Sequence, residues 1–188
     1  TLGTTGVLYI ISGLVSYGLI LITISWLRPE DQLIKALVAI LGVAVLFKPS
    51  EIATYWYESQ VQSKYVVISK SGVLLVFAAI NVVLIFNNAK LIVFAWTNVL
   101  EALVVSLLLL TILTKRLDGL KLLEIQFSLA RAKSLIADSW PLIISSMSII
   151  IYMKVDQIMI GYMLGDVEVG VYSAATRISE AWYFHFLF

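Results

Sequence analysis

Six ionisable side chains stand inside apolar stretches of the sequence, where an ionised group is expensive: Lys48, Glu51, Glu101, Lys154, Asp156 and Arg177. At the centre of a bilayer each costs about 2.5–3.5 kcal/mol on insertion scales, so each requires a partner, a watery cavity or a task. Two chemistries suit the set. Cations can hold an anionic group as it passes between helices, and an Arg suits an oxyanion because its planar fork donates two parallel hydrogen bonds. A carboxylate can carry a proton, and Asp156 and Glu101 are the candidates for such coupling. The plainer account is that the cations and anions neutralise one another, with Lys48 reaching along its apolar stem to the nearer surface.

Spacing sorts these residues into groups. Lys48 and Glu51 are three residues apart and share one helix face, and Pro49 between them suggests a kink or a local break. Asp156 lies eight residues before Leu164 and Arg177 eight after Val169. At 1.5 Å per residue that places both about 12 Å below one surface, on consecutive antiparallel helices, where a direct pair is easy. Glu101 and Lys154 come out about 15 Å deep by the same count. Lys154 is two residues from Asp156 and points to a different face.

These residues need elements to hold them. The 188 residues are 61% hydrophobic and 13% charged, about half the charge of an ordinary soluble domain. The expected fold class is therefore an all-α membrane protein, a polytopic helical bundle. A span needs about 20 apolar residues. Four runs meet this at 2–26, 33–57, 65–86 and 91–113, the second interrupted by Lys48-Pro-Ser-Glu51. A fifth runs from Pro141 to Leu164, with Ser139 as a possible cap, and a partial sixth begins near Val169. Between the fourth and fifth lies one long connection, 115–139. Its Leu129, Ala132 and Ile136 recur at helical spacing beside polar Arg131, Lys133 and Asp138, which suggests an amphipathic helix on the membrane surface. The expected organisation is residues 1–114 as one bundle, 115–139 as a linker and 140–188 as the start of a second bundle. Thr1 and Phe188 both stand in apolar runs, so the sequence reads as an internal piece of a longer protein.

Basic residues orient the spans. Lys64, Lys70, Lys115, Arg116, Lys121, Arg131 and Lys133 gather on one side, against Arg28 and Lys90, with Lys35 just inside the second span. This predicts a cytoplasmic 115–139 segment. Other features have ordinary explanations: Gly161 and Gly165 sit at a helix end, and Trp26, Trp56, Trp140 and Trp182 lie near span ends as interfacial aromatics do. With no Cys, a single His185 and no phosphate loop or nucleophile elbow, a metal site, cofactor or ATP chemistry is not expected. A formal net charge of +1 gives no field for nucleic acid.

Two stretches carry a resemblance. In Tyr152–Glu180 an Asp within the helix is followed by a Gly-rich turn and then Gly170-Val-Tyr-Ser-Ala-Ala-Thr-Arg177-Ile-Ser-Glu180. Upstream stand Phe47-Lys-Pro-Ser-Glu51 and Tyr55-Trp-Tyr-Glu-Ser-Gln-Val-Gln-Ser-Lys-Tyr65. In order and spacing the sequence resembles polysaccharide flippases, the O-antigen and exopolysaccharide repeat-unit translocases of the multidrug/oligosaccharidyl-lipid/polysaccharide exporter superfamily. The resemblance implies that 2–113 correspond to helices three to six of a two-bundle transporter in the bacterial inner membrane. It implies alternating access for an undecaprenyl-diphosphate-linked oligosaccharide, driven by an H⁺ or Na⁺ gradient, with membrane lipids and other polysaccharide-assembly proteins as partners. Asp156 and Arg177 match motif positions facing the space between bundles, and Lys48 and Glu51 match the polar break of the fourth helix. Lys154 has weaker support.

Three other readings compete, one of them a scaffold without transport, against which the clustered intramembrane charges argue. A drug/cation antiporter would favour uncompensated acids, whereas bases and acids here are equal in number within the spans. A membrane polymerase or ligase would carry a large outer loop with catalytic charges, and no outer loop exceeds about ten residues. The expectation is a transporter and not an enzyme.

Overall fold

The computed structural model describes residues 2–116 and 129–186, and the side chains of 4–115 and 129–180. Lys121 of the long connection, and the side chains of Trp182 and His185, lie outside the described residues. Within them the chain is all-helical. The helices are α1 (Leu2–Leu27), α2 (Gln32–Val43), a 3₁₀ segment (Ala44–Ser50), α3 (Glu51–Ser59), α4 (Lys64–Phe86), α5 (Leu91–Arg116), α6 (Leu129–Met163) and α7 (Asp166–Phe186). Five stretches are long and apolar enough to cross a membrane: 4–27, 32–59, 64–86, 91–115 and 129–163. The protein is a multi-pass membrane protein. α7 is too polar to join the five, since Asp166, Glu168, Arg177 and Glu180 lie along it.

Local chemistry sets the boundaries. Asp31 caps α2 by accepting from the Ile34 backbone N–H at 3.1 Å, which satisfies one of the donors a helix start leaves open. The α4–α5 turn is made by Asn88 in the left-handed region, at φ 50°, a conformation Asn tolerates better than most residues. Gly165, at φ 110°, turns α6 into α7, where a residue without Cβ is favoured.

The chain forms two compact units that divide between Ala132 and Lys133. In the first, α5 packs against α2, the 3₁₀ segment, α3 and α4, while α1 lies against α2 and the 3₁₀ segment. Its best-buried cluster joins Ala53 and Tyr57 of α3, Val66 of α4, and Leu109 and Leu113 of α5. The Tyr57 hydroxyl donates to the Ile112 carbonyl at 3.2 Å, so the one polar atom of this ring has a partner. α1 meets α2 closely because Gly42 faces the Tyr17 ring, and the Tyr17 hydroxyl donates to the Ala39 carbonyl at 3.4 Å. α4 and α5 are tied by Thr97, which donates to the Asn81 side-chain oxygen at 3.1 Å.

The second unit holds most of α6 and α7. Among its described residues none is fully buried, and its surface is rich in Ile, Met and Val. That is the surface a helix presents to lipid or to other membrane helices, not to water.

One expectation is corrected here. The fifth span does not start at Ser139–Pro141; α6 begins at Leu129 and passes through Pro141 without a break. A proline removes one backbone bond and crowds one carbonyl, here that of Ala137, a cost of about 3 kcal/mol that a long helix can absorb. The preceding turns favour helix, with Leu129, Ala130, Arg131, Ala132 and Lys133. Ser134 donates to the Asp138 carboxylate at 3.2 Å one turn later, so these residues serve the helix interior and not a cap. At 35 residues α6 is about 52 Å long against a hydrocarbon thickness of about 30 Å, so one end projects well beyond the bilayer. Residues 129–139 are thus continuous with the fifth helix and do not form a helix of their own.

Candidate functional site

The second span is broken where its charges lie. α2 gives way at Ala44 to a 3₁₀ turn that ends at Ser50, and α3 starts at Glu51. Pro49 sits inside this turn. It has no N–H to return to the Val45 carbonyl, so the α-helical ladder cannot run through it. The tighter winding nearly eclipses residues three apart, which brings Lys48 and Glu51 onto one line. Ser50 is buried and donates its hydroxyl to the Phe47 carbonyl at 2.7 Å. The break is packed in place: Gly13 of α1 faces the Val45 carbonyl, and a Cβ there would sit 3.5 Å from it.

Lys48, Ser50 and Glu51 line a cavity of about 240 Å³ in the first unit, together with Ala44, Phe47, Lys70 of α4, and Ala102, Val105 and Leu109 of α5. A mostly apolar pocket that carries two lysines, a glutamate and a serine in its wall is thus made by one irregular turn and two helices. Non-helical backbone at membrane depth is tolerated where it lines such a cavity. On its other side Glu51 acts electrostatically on Tyr9 of α1, which is within hydrogen-bonding reach of Tyr55.

Lys70 was counted above among loop cations. It is instead six residues into α4, about 9 Å from its start, and partly buried. The signal that finds it is periodicity. Val66, Val73 and Phe77 are the buried residues of α4, and Lys70 falls in their stripe at spacings of four, three and four. A lysine in the apolar stripe of a span is a cavity residue before it is a loop charge.

Glu101 is half-buried on α5, but it is absent from the pocket, which takes Ala102 and Val105 from the neighbouring positions. Lys154, Asp156 and Arg177 lie in the second unit. Asp156 has a different partner from the one expected. The Tyr172 hydroxyl donates to its Oδ2, and the Gln157 backbone N–H donates to Oδ1 at 2.8 Å. Arg177 is exposed and is not among the groups acting on Asp156, whereas Lys154 acts on it weakly through space. The reason is a matter of level. α7 starts at Asp166, three residues before the assumed Val169, so Arg177 lies about 4.5 Å further from the turn than the count allowed. Tyr172 takes the place opposite Asp156. Near the turn, Gly161 lets α7 approach, since a Cβ there would meet Val169 at 3.1 Å.

Among the described residues no group of three or more His, Cys, Asp or Glu side chains could hold a metal.

Comparison with curated proteins and with solved structures gives no significant match. A family model described as polysaccharide biosynthesis protein matches residues 1–183, nearly the whole chain. With five helices long and apolar enough to span a membrane and a family model that covers nearly its whole length, the chain belongs to the polysaccharide biosynthesis protein family.

Proposed function

We propose that the chain is part of a transporter, not an enzyme, that flips undecaprenyl-diphosphate-linked oligosaccharide repeat units across the bacterial inner membrane by alternating access. The observation that carries this reading is the pocket of Lys48, Glu51 and Lys70 at a packed break in a membrane span, in a chain of the polysaccharide biosynthesis family. A broken helix lined by charge is how transporters meet a polar ligand at membrane depth. The lipid tail remains in the bilayer while the charged and sugar portions pass through polar space. Asp156, held by Tyr172, and Glu101 are the carboxylates that could couple the switch to an H⁺ or Na⁺ gradient. Arg177 and Lys154 supply positive charge on the second unit, and the long connection faces the cytoplasm.

The test is complementation. The full-length protein is expressed in a bacterium lacking its repeat-unit flippase but making a matching repeat unit, and surface polymer is measured at equal membrane abundance. Restored polymer, lost in Arg177→Ala, is the expected result. Correct insertion with no polymer would remove the transport reading.

A further inference from the structure

Neither Lys48 nor Lys70 forms an ion pair or hydrogen bond within the described residues, although Glu51 lines the same cavity. Two ammonium groups and one carboxylate give the cavity a formal charge of +1 by side-chain count. Lys48 is exposed and Lys70 partly buried, so both ammonium groups are open to a visiting anion, and a cation within a span calls for a partner, a watery cavity or a task. Ser50 is already occupied by the Phe47 carbonyl as a donor, but its oxygen leaves the cavity wall polar. The volume of about 240 Å³ accommodates a phosphate or diphosphate group.

We infer that Lys48 and Lys70 form a two-pronged site for a phosphate-type oxyanion. The prongs come from different elements, the 3₁₀ turn and α4, so occupation ties the broken span to its neighbour. Lysines act here as point charges with rotatable donors, which suits an oxyanion that arrives in more than one orientation. The phosphate could belong to a polyprenyl-diphosphate substrate or to an anionic phospholipid headgroup. The first source rests on the transport reading above; the second does not.

The experiment uses the full-length protein in nanodiscs and inorganic pyrophosphate as the probe, with the shift in thermal unfolding as readout. In phosphatidylcholine nanodiscs pyrophosphate raises the melting temperature, and Lys48→Gln or Lys70→Gln weakens its apparent affinity about tenfold. Lys70→Arg retains binding, which separates lost charge from lost folding, and Lys90→Gln at the exposed α4–α5 turn leaves it unchanged. If phosphatidylglycerol abolishes the pyrophosphate effect in wild type, the lipid headgroup is the occupant. If it does not, the substrate's diphosphate is. No stabilisation by pyrophosphate in either membrane, or equal affinity in wild type, Lys48→Gln and Lys70→Gln, would overturn the site. Polymer export is scored separately in the complementation strain. Binding without export keeps the site and removes the transport reading, and export without binding does the reverse.

Discussion

Tyr172 reaches across the α6–α7 hairpin to Asp156, sixteen residues earlier in the chain, and donates its hydroxyl to the carboxylate. In a unit where no described residue is fully buried, this bond ties the two helices side chain to side chain, and Gly161 leaves room for Val169 near the turn. A hydrogen bond to an ionised carboxylate is stronger than one between neutral groups, so it sets the level at which the two helices meet.

If Asp156 works through this geometry, Tyr172→Phe should lower polymer export several-fold, and Asp156→Asn should lower it at least as much. The double variant should be no worse than Asp156→Asn alone, because both changes remove one interaction. Export at matched membrane abundance is the measurement. Additive losses would mean that the two side chains act separately.

Gly42 makes the second prediction. A Cβ at this position would lie 3.0 Å from two atoms of the Tyr17 ring, and the ring is held by its bond to the Ala39 carbonyl. Gly42→Ala should therefore push α1 from α2 and destabilise the protein by about 1–3 kcal/mol, the usual cost of overpacking. Gly18→Ala, which meets open space, should be neutral or mildly stabilising. Thermal unfolding in detergent separates the two.

Tyr57 makes the third. Its ring is 1% exposed and lies edge-on to Trp56, with centroids 4.9 Å apart. Tyr57→Phe keeps the ring but leaves the Ile112 carbonyl without the hydroxyl donor, at a cost of about 1 kcal/mol. Tyr57→Ala opens a cavity and should cost about 3–5 kcal/mol. If unfolding shows equal losses, the hydroxyl and not the ring supports this cluster.

The spans were legible because lipid leaves a one-dimensional mark: helices expected at 2–26, 65–86 and 91–113 are found at Leu2–Leu27, Lys64–Phe86 and Leu91–Arg116. The interruption at Lys48–Glu51 was legible for a similar reason, since proline acts on its own backbone whatever surrounds it. What sequence concealed was set by small displacements in three dimensions. Three residues at the start of α7 moved Arg177 out of level with Asp156 and brought in Tyr172, a neutral partner that charge counting does not seek. Pro141 looked like a start signal, but local helix propensity on its N-terminal side outweighed it. Lys70 was hidden by treating it as a vote on topology, when the stripe of Val66, Val73 and Phe77 already placed it on an inward face.

Pro49 makes the fourth prediction, and it sets stability against function. The proline excludes the α-helical bond to the Val45 carbonyl and keeps residues 44–50 in the tighter 3₁₀ winding. Pro49→Ala restores the missing N–H and replaces a poor helix former with the best one, so the span should run more nearly as a continuous α-helix and unfold at a higher temperature. The same change rotates Lys48 relative to Glu51 from nearly eclipsed toward an offset of about 60°. One of them then leaves the cavity wall it shares with Lys70. Export should fall several-fold while stability rises. A variant that gains stability and exports at the wild-type level would show that the break is a packing accommodation to Gly13 and α1, with no part in holding the pocket. A variant that loses both would show that the 3₁₀ turn is the better-packed state.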